Sequence, residues 1–288
     1  MTKSPAPAQA TEATTLTGDL RRLNILSAAN LPRYAIIPGD PDRIDLIAAQ
    51  WDEAEILPLP RGYRAAVGTY RGVRLMACSS GVGGGSFEGA FTDMVKLGVD
   101  TFVRVGTTGA LREEITVNSL IVNDASVRLD GTTNFYVRPE FPAAASYEVT
   151  FALVDAARKK GATCHLGTGA TTGSFTVGQG RPGCKNFVSL EGERLLEEVT
   201  RAGVLNFEME SAVLFTLSRI YGLRAGAVHS VITNRVSGGW GDEGGIATAC
   251  NVAADALVQL ALWDRACGEA HSPSLTARIV AAVEQKAG

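Results

Sequence analysis

Short, almost continuous apolar runs bounded by glycine- and aspartate-rich turns alternate along the chain with segments whose apolar residues recur every three or four positions. YAIIPGDPDRI reads as a short buried strand ending in a Gly-Asp-Pro turn, followed by a helix through roughly residues 46–51. AAVGTY and VRLMAC, separated only by RG, predict a hairpin. Its second strand runs into the glycine-rich loop SSGVGGGS, ahead of the helical pattern FEGAFTDMVKLG. TFVRVG is another short buried strand, ending in the small-residue turn TTGAL. SLIVNDASVRL, CHLGTGATTG and RAGAVHSVITN continue the strands, and YEVTFALVDAARKKG, EGERLLEEVTRAG and AVLFTLSRIYG continue the helices. Strands alternating with helices indicate an α/β protein whose ligand site lies beyond the carboxyl ends of its strands. SGGWGDEGG, residues 237–245, holds too many glycines for regular structure and reads as a loop that could serve as a lid.

Composition narrows the classes. The chain has 288 residues, 45% of them apolar, enough for one large core, and no linker or internal repeat divides it. Residues 1–22 are rich in Ala, Thr and Pro and lack an apolar signal core, so a disordered tail ahead of a single domain over residues 23–288 is expected. Charged residues make up 20% and the net charge is -3, which excludes a polybasic surface for nucleic acid or an anionic membrane while leaving room for a small anionic ligand. No uninterrupted apolar run reaches the roughly 18 to 20 residues of a membrane span. A soluble, cytoplasmic protein is expected. The cysteines Cys78, Cys164, Cys184, Cys250 and Cys267 are odd in number and widely spaced, the pattern of free thiols in a reducing compartment. The histidines fall in no metal-ligating spacing, so neither a metal nor a cofactor is expected.

The polar motifs cluster at the predicted strand ends. In GDPDRI, Gly39 lets backbone approach a ligand closely and Arg43 adds a guanidinium near a helix start, a combination suited to an oxyanion. VRVGTTGAL sets Arg104 inside an apolar strand, where it must find an anion or be buried unpaired at a cost of several kcal/mol. NFEMES carries Glu208 and Glu210 around Met209 at the mouth of a helix. On its own it reads as an acidic helix start that complements the helix dipole. In FTVGQGR, extended backbone would point Gln179 and Arg181 the same way, with Phe175 just upstream.

GDPDRI, SSGVGGGS, VRVGTTGAL, FTVGQGR and NFEMES, in this order, resemble the nucleoside phosphorylase superfamily and within it the uridine phosphorylases, from about Leu23 to Arg235. The resemblance implies a single three-layer α/β/α domain with a central mixed, partly barrel-like β-sheet. It also implies phosphorolysis of uridine to uracil and ribose 1-phosphate, with phosphate as co-substrate. Phosphate would be held by Gly39, Arg43, Arg104 and Thr107, with Arg61 reaching in from a neighbouring subunit of a homo-oligomer, a dimer or more and commonly a hexamer. Glu208, Met209 and Glu210 would hold the ribose. Phe175, Gln179 and Arg181 would hold the base, with Arg104, Thr107, Gln179 and Arg181 as the catalytic set. The chain departs from the family's pattern in three places. RRLNILSAANL, with Leu23 and Asn24, lacks the histidine that usually enters a neighbour's site; Gly62 stands where some members have a glutamate that helps hold a monovalent cation, so that ion is not expected; and the lid sequence differs. The alternatives are a purine nucleoside phosphorylase, for which VITNR lacks the acid, a nucleosidase, and a noncatalytic nucleoside-binding protein.

Overall fold

The computed structural model describes residues 32–242 and 244–267. Strand β1 (Tyr34–Pro38) is buried at every position. Its side chains alternate between two cores: Tyr34 and Ile36 face one, Ala35 and Ile37 the other. That two-sided burial explains why β1 reads as a continuous apolar run rather than an alternating one.

Helix α1 (Arg43–Ala48) follows directly, then β2 (Glu53–Pro58), β3 (Arg64–Tyr70) and β4 (Val73–Cys78). The β3–β4 hairpin turns at Arg71 and Gly72, both at positive φ (48° and 73°), the pair that a two-residue turn of matching twist requires. Helix α2 (Gly84–Lys96) sets Phe87, Ala90, Phe91 and Met94 on one buried stripe. The chain continues through β5 (Thr101–Ala110), β6 (Leu120–Leu129), β7 (Ala143–Ala144), α3 (Tyr147–Lys159), β8 (Cys164–Thr172) and α4 (Leu190–Arg201). The last described elements are β9 (Asn206–Glu208), α5 (Ser211–Ile220), β10 (Arg224–Asn234) and α6 (Gly244–Cys267).

The strands form one mixed, ten-stranded sheet. From β5 one arm runs open through β1, β4 and β3 to β2, while the other closes on itself through β10, β6, β8 and β9, giving a five-stranded barrel. Helices α1, α3 and α6 pack on one face around Val103, Val105 and Val228, and α2 and α5 cover the other around Phe102 and Met76. This is the three-layer α/β/α arrangement with a partly closed sheet that the resemblance implies.

Several local readings are corrected. Helix α1 spans Arg43–Ala48 rather than residues 46–51, because it begins as soon as the Asp40–Pro41–Asp42 turn ends. The TTGAL segment is not a turn: β5 runs through it, its last residues zipped to β10 (Asn234↔Ala110) and to β9 (Gly109↔Phe207). Strand β2 escaped the pattern because it is an edge strand, charged and largely exposed. Helix α6 is long and apolar enough to cross a membrane by length and composition, a property that counting uninterrupted apolar residues overlooked. Within the fold 61% of its most apolar window is buried, against α1, α3 and β5.

Cys78, Cys164, Cys184 and Cys250 are free thiols, and burial pushes Cys78 and Cys250 up to about 12. The expected tail, with Leu23 and Asn24, lies outside the described residues.

Candidate active site

A cavity of about 430 Å³ opens where β1, β5, β9 and β10 end. At one end lie Gly39 and Arg43. Gly81 donates its N–H to the Gly39 carbonyl (3.0 Å), and a Cβ on Gly39 would stand 3.3 Å from the Gly81 carbonyl, so two loops meet closely there. Arg104 and Thr107 reach the same end from β5.

Arg104 is almost fully buried. Its Nε donates to Glu208 (3.2 Å) and its Nη2 to Glu210. The anion that a buried arginine demands is therefore supplied first by the protein itself. Nη1 is left as the one buried nitrogen of Arg104 without a hydrogen-bond partner.

The NFEMES segment makes this possible by changing structure midway. Asn206–Glu208 completes the barrel as β9, and Ser211 opens α5. The backbone N–H groups of Glu210 and Ser211, at that junction, both donate to Glu208 at 2.9 Å, and Thr171 on β8 donates its hydroxyl to the same carboxylate. Burial alone would raise the Glu208 carboxyl, but Arg104, His229 and these donors outweigh it and hold it below the usual range. Glu210 accepts the Gly83 N–H (2.6 Å), and burial, with the nearby Glu208 charge, raises it despite Arg104. Two carboxylates around one guanidinium thus differ in proton affinity. Met209 lines the cavity between them.

At the far end are Phe175, Gln179 and Arg181. Gln179 does not sit in extended backbone. It closes a 3₁₀ turn (Val177–Gln179), and Gly180 follows at φ 66°, so the turn and not strand alternation brings Gln179 and Arg181 to one cavity. Gln179 donates to the Thr172 hydroxyl (3.2 Å), and the Arg181 guanidinium lies 4.7 Å from the centre of the Phe175 ring.

Arg235, just beyond β10, donates to the Gln179 carbonyl (3.1 Å) and packs over Phe207 at 5.8 Å. Burial, together with Arg181, lowers Arg235 to about 10. Burial lowers Arg181 as well. This end of the cavity is cationic.

Of the residues assigned to phosphate, ribose or base, only Arg61 does not line the cavity. It sits at φ 62° in an exposed 3₁₀ turn, Pro60–Gly62, next to β3. Sequence reasoning passed over Thr108, Phe207, Ile232 and Trp240, which line the cavity, and Arg235 behind Gln179; Thr233, noted only for not being an acid, lines it too. Phe207 and Arg235 lay inside quoted motifs, and Trp240 was the one large aromatic in a run of glycines. The end of β10 offers no acid: Thr233 donates to the Gly239 carbonyl (3.0 Å), and Asn234 donates to the carbonyls of Arg112 (2.8 Å) and Ile115 (2.7 Å).

The sequence model of the phosphorylase superfamily matches residues 33–262. The chain belongs to that superfamily. A uridine phosphorylase of Thermococcus kodakarensis is 45% identical to this phosphorylase-superfamily chain, over 82% of it and 84% of the relative. A uridine phosphorylase of Escherichia coli is 43% identical over 74% and 83%, and a guanosine phosphorylase of Halorubrum lacusprofundi 33% identical over 74% and 83%. Among the described residues of this superfamily member, no three His, Cys, Asp or Glu side chains gather as metal ligands.

Proposed function

We propose that the chain is a uridine phosphorylase, a pentosyltransferase that converts uridine and phosphate reversibly to uracil and ribose 1-phosphate. The observation that carries this reading is the order of groups along one cavity. In the strand order of the sheet, oxyanion donors line it at β1 and β5, a caged carboxylate pair with a methionine at β9, and an amide with the Arg181 guanidinium beyond β8. The identity to uridine phosphorylases over most of both chains supports it.

Gly39, Arg43, Thr107 and the free Nη1 of Arg104 hold phosphate, joined by Arg61 of a second copy. Glu208, fixed in ionised form, accepts from a ribose hydroxyl, and Glu210, with its raised proton affinity, tolerates the phosphate charge beside it. Phosphate oxygen forms the new bond to C1′ as the C1′–N1 bond breaks, and the bonding pair leaves with uracil. Arg181 meets the negative charge that collects on the base. Gln179 reads the uracil edge through its amide, and Arg235 steadies the Gln179 turn. No protein nucleophile takes part.

The guanosine phosphorylase relative raises a purine reading, but the end of β10 carries Thr233 and Asn234, neither of them an acid that could protonate a purine there. The deciding experiment measures free base released from uridine, thymidine, cytidine and inosine, each with and without phosphate. Phosphate-dependent uracil release is expected. Release without phosphate would make the protein a hydrolase, and release from inosine alone would refute the roles of Gln179 and Arg181.

A further inference from the structure

His229 lies on β10 at full burial, outside the cavity lining, and has no part in the chemistry above. Its Nε2 is 3.2 Å from the Ser211 hydroxyl, and the Ser211 N–H is one of the donors that fix Glu208. Its Nδ1 is buried with no hydrogen-bond partner.

The parallel pairing of β5 and β10 sets His229 beside Gly106, and Arg104 projects from the same face of β5 two residues earlier. A Cβ on Gly106 would stand 2.8 Å from His229 Nδ1 and 3.2 Å from Arg104 Nη2. Both nitrogens therefore pack closely against Gly106, where no side chain has room. Two facts set the tautomer. Burial and the neighbouring Arg104 and Arg43 keep the imidazole neutral against the pull of Glu208. With the Arg104 guanidinium on the Nδ1 side of the ring, the lone pair belongs on Nδ1 and the proton on Nε2, where the Ser211 oxygen accepts it.

We infer that His229 is a positioning residue for Arg104: its imidazole packs with the Nδ1 lone pair towards the guanidinium across Gly106, an electrostatic acceptor for the positive charge. The same imidazole, through Ser211, ties that guanidinium to the Glu208 cage from behind. A buried acceptor there holds the long arginine side chain so that Nη1 faces the oxyanion end of the cavity, an orientation the two carboxylates fix from only one side. The inference rests on the uridine phosphorylase reading for the ligand that Nη1 meets.

The test uses shape mimics. An asparagine amide oxygen takes the place of Nδ1, whereas a glutamine amide takes the place of Nε2. Steady-state kinetics of the full chain and of His229→Asn, His229→Gln and His229→Ala would separate KM for phosphate from KM for uridine. Glutamine and alanine are expected to raise the phosphate KM about tenfold with the uridine KM changed less than about twofold, while asparagine stays within about twofold of the parent for both. Gly106→Ala, whose methyl would press on both nitrogens, should behave as the glutamine variant does. If alanine does not fold, the asparagine and glutamine pair decides. Equal effects from those two, or equal shifts in both KM values, would overturn the inference. Absence of phosphate-dependent turnover in the unaltered chain would instead overturn the proposed function on which it rests.

Discussion

Thr171 is the most economical place to test whether the carboxylate cage matters. It is fully buried on β8, and its hydroxyl makes every hydrogen bond a hydroxyl can. It donates to Glu208, accepts the Ala212 N–H (2.8 Å) and sits 2.7 Å from the Ser126 hydroxyl. Thr171→Val exchanges that hydroxyl for a methyl of nearly the same volume, so the change opens no cavity and the cost is polar. Losing a hydrogen bond to an ionised carboxylate costs roughly 1.5–3 kcal/mol, and leaving the Ala212 N–H buried without a partner costs about 1–3 more. Because neighbouring terms do not add fully, a net loss of about 3 kcal/mol is expected. Thr171→Ser keeps all three bonds and sacrifices one buried methyl, worth about 1 kcal/mol. Urea unfolding at one fixed protein concentration, followed by fluorescence, gives the difference between the two variants, and initial rates give the uridine KM. The valine variant should be the less stable and should raise that KM about tenfold, the equivalent of about 1.4 kcal/mol lost at the ribose. A valine variant within about 0.5 kcal/mol of the serine variant, with an unchanged KM, would refute the view that Thr171 holds Glu208 in place.

Other outcomes follow from the same geometry. Arg104→Met leaves Glu208 and Glu210 buried together without their cation, and is expected to destabilise the fold by about 3–5 kcal/mol and lower turnover more than about 100-fold; a folded, active variant in thermal melts and rate assays would contradict this. His229 is held at about 4, below an unfolded value near 6.5, first by burial and then by Arg104 and Arg43 against Glu208. Its contribution is therefore complete above pH 6.5 and is lost as pH falls towards 4, about 3 kcal/mol in all, so the stability gap between the parent and His229→Asn should shrink across that window in pH-resolved unfolding. If Arg61 serves a second copy's site, inactive Arg61→Ala and Gln179→Ala chains, mixed and reassembled, should regain about a quarter of parental activity, since half the random dimers hold one intact site; no recovery on mixing would place Arg61 outside the site.

What the sequence determined by itself was local. The apolar run of β1 and the buried stripe of α2 express periodicities that any window of residues carries, and the Arg71–Gly72 pair marks its hairpin because few residues accept positive φ. The motif residues of the cavity were legible as well, since glycines beside arginines and paired glutamates in an apolar setting require a partner somewhere. Only the tertiary structure decided which partner. Arg104 answers to Glu208 and Glu210, more than a hundred positions away in sequence, through the return of β9 to β5. The TTGA segment became strand because β9 and β10 closed a barrel around it, and Gln179 turned into the cavity through a 3₁₀ turn where an extended strand was expected. Gly106 and His229, unremarkable in sequence, became neighbours only by register. Periodicity is encoded between adjacent residues, whereas charge neutralisation and barrel closure depend on which distant strands pair, and burial of the whole sheet selects that pairing.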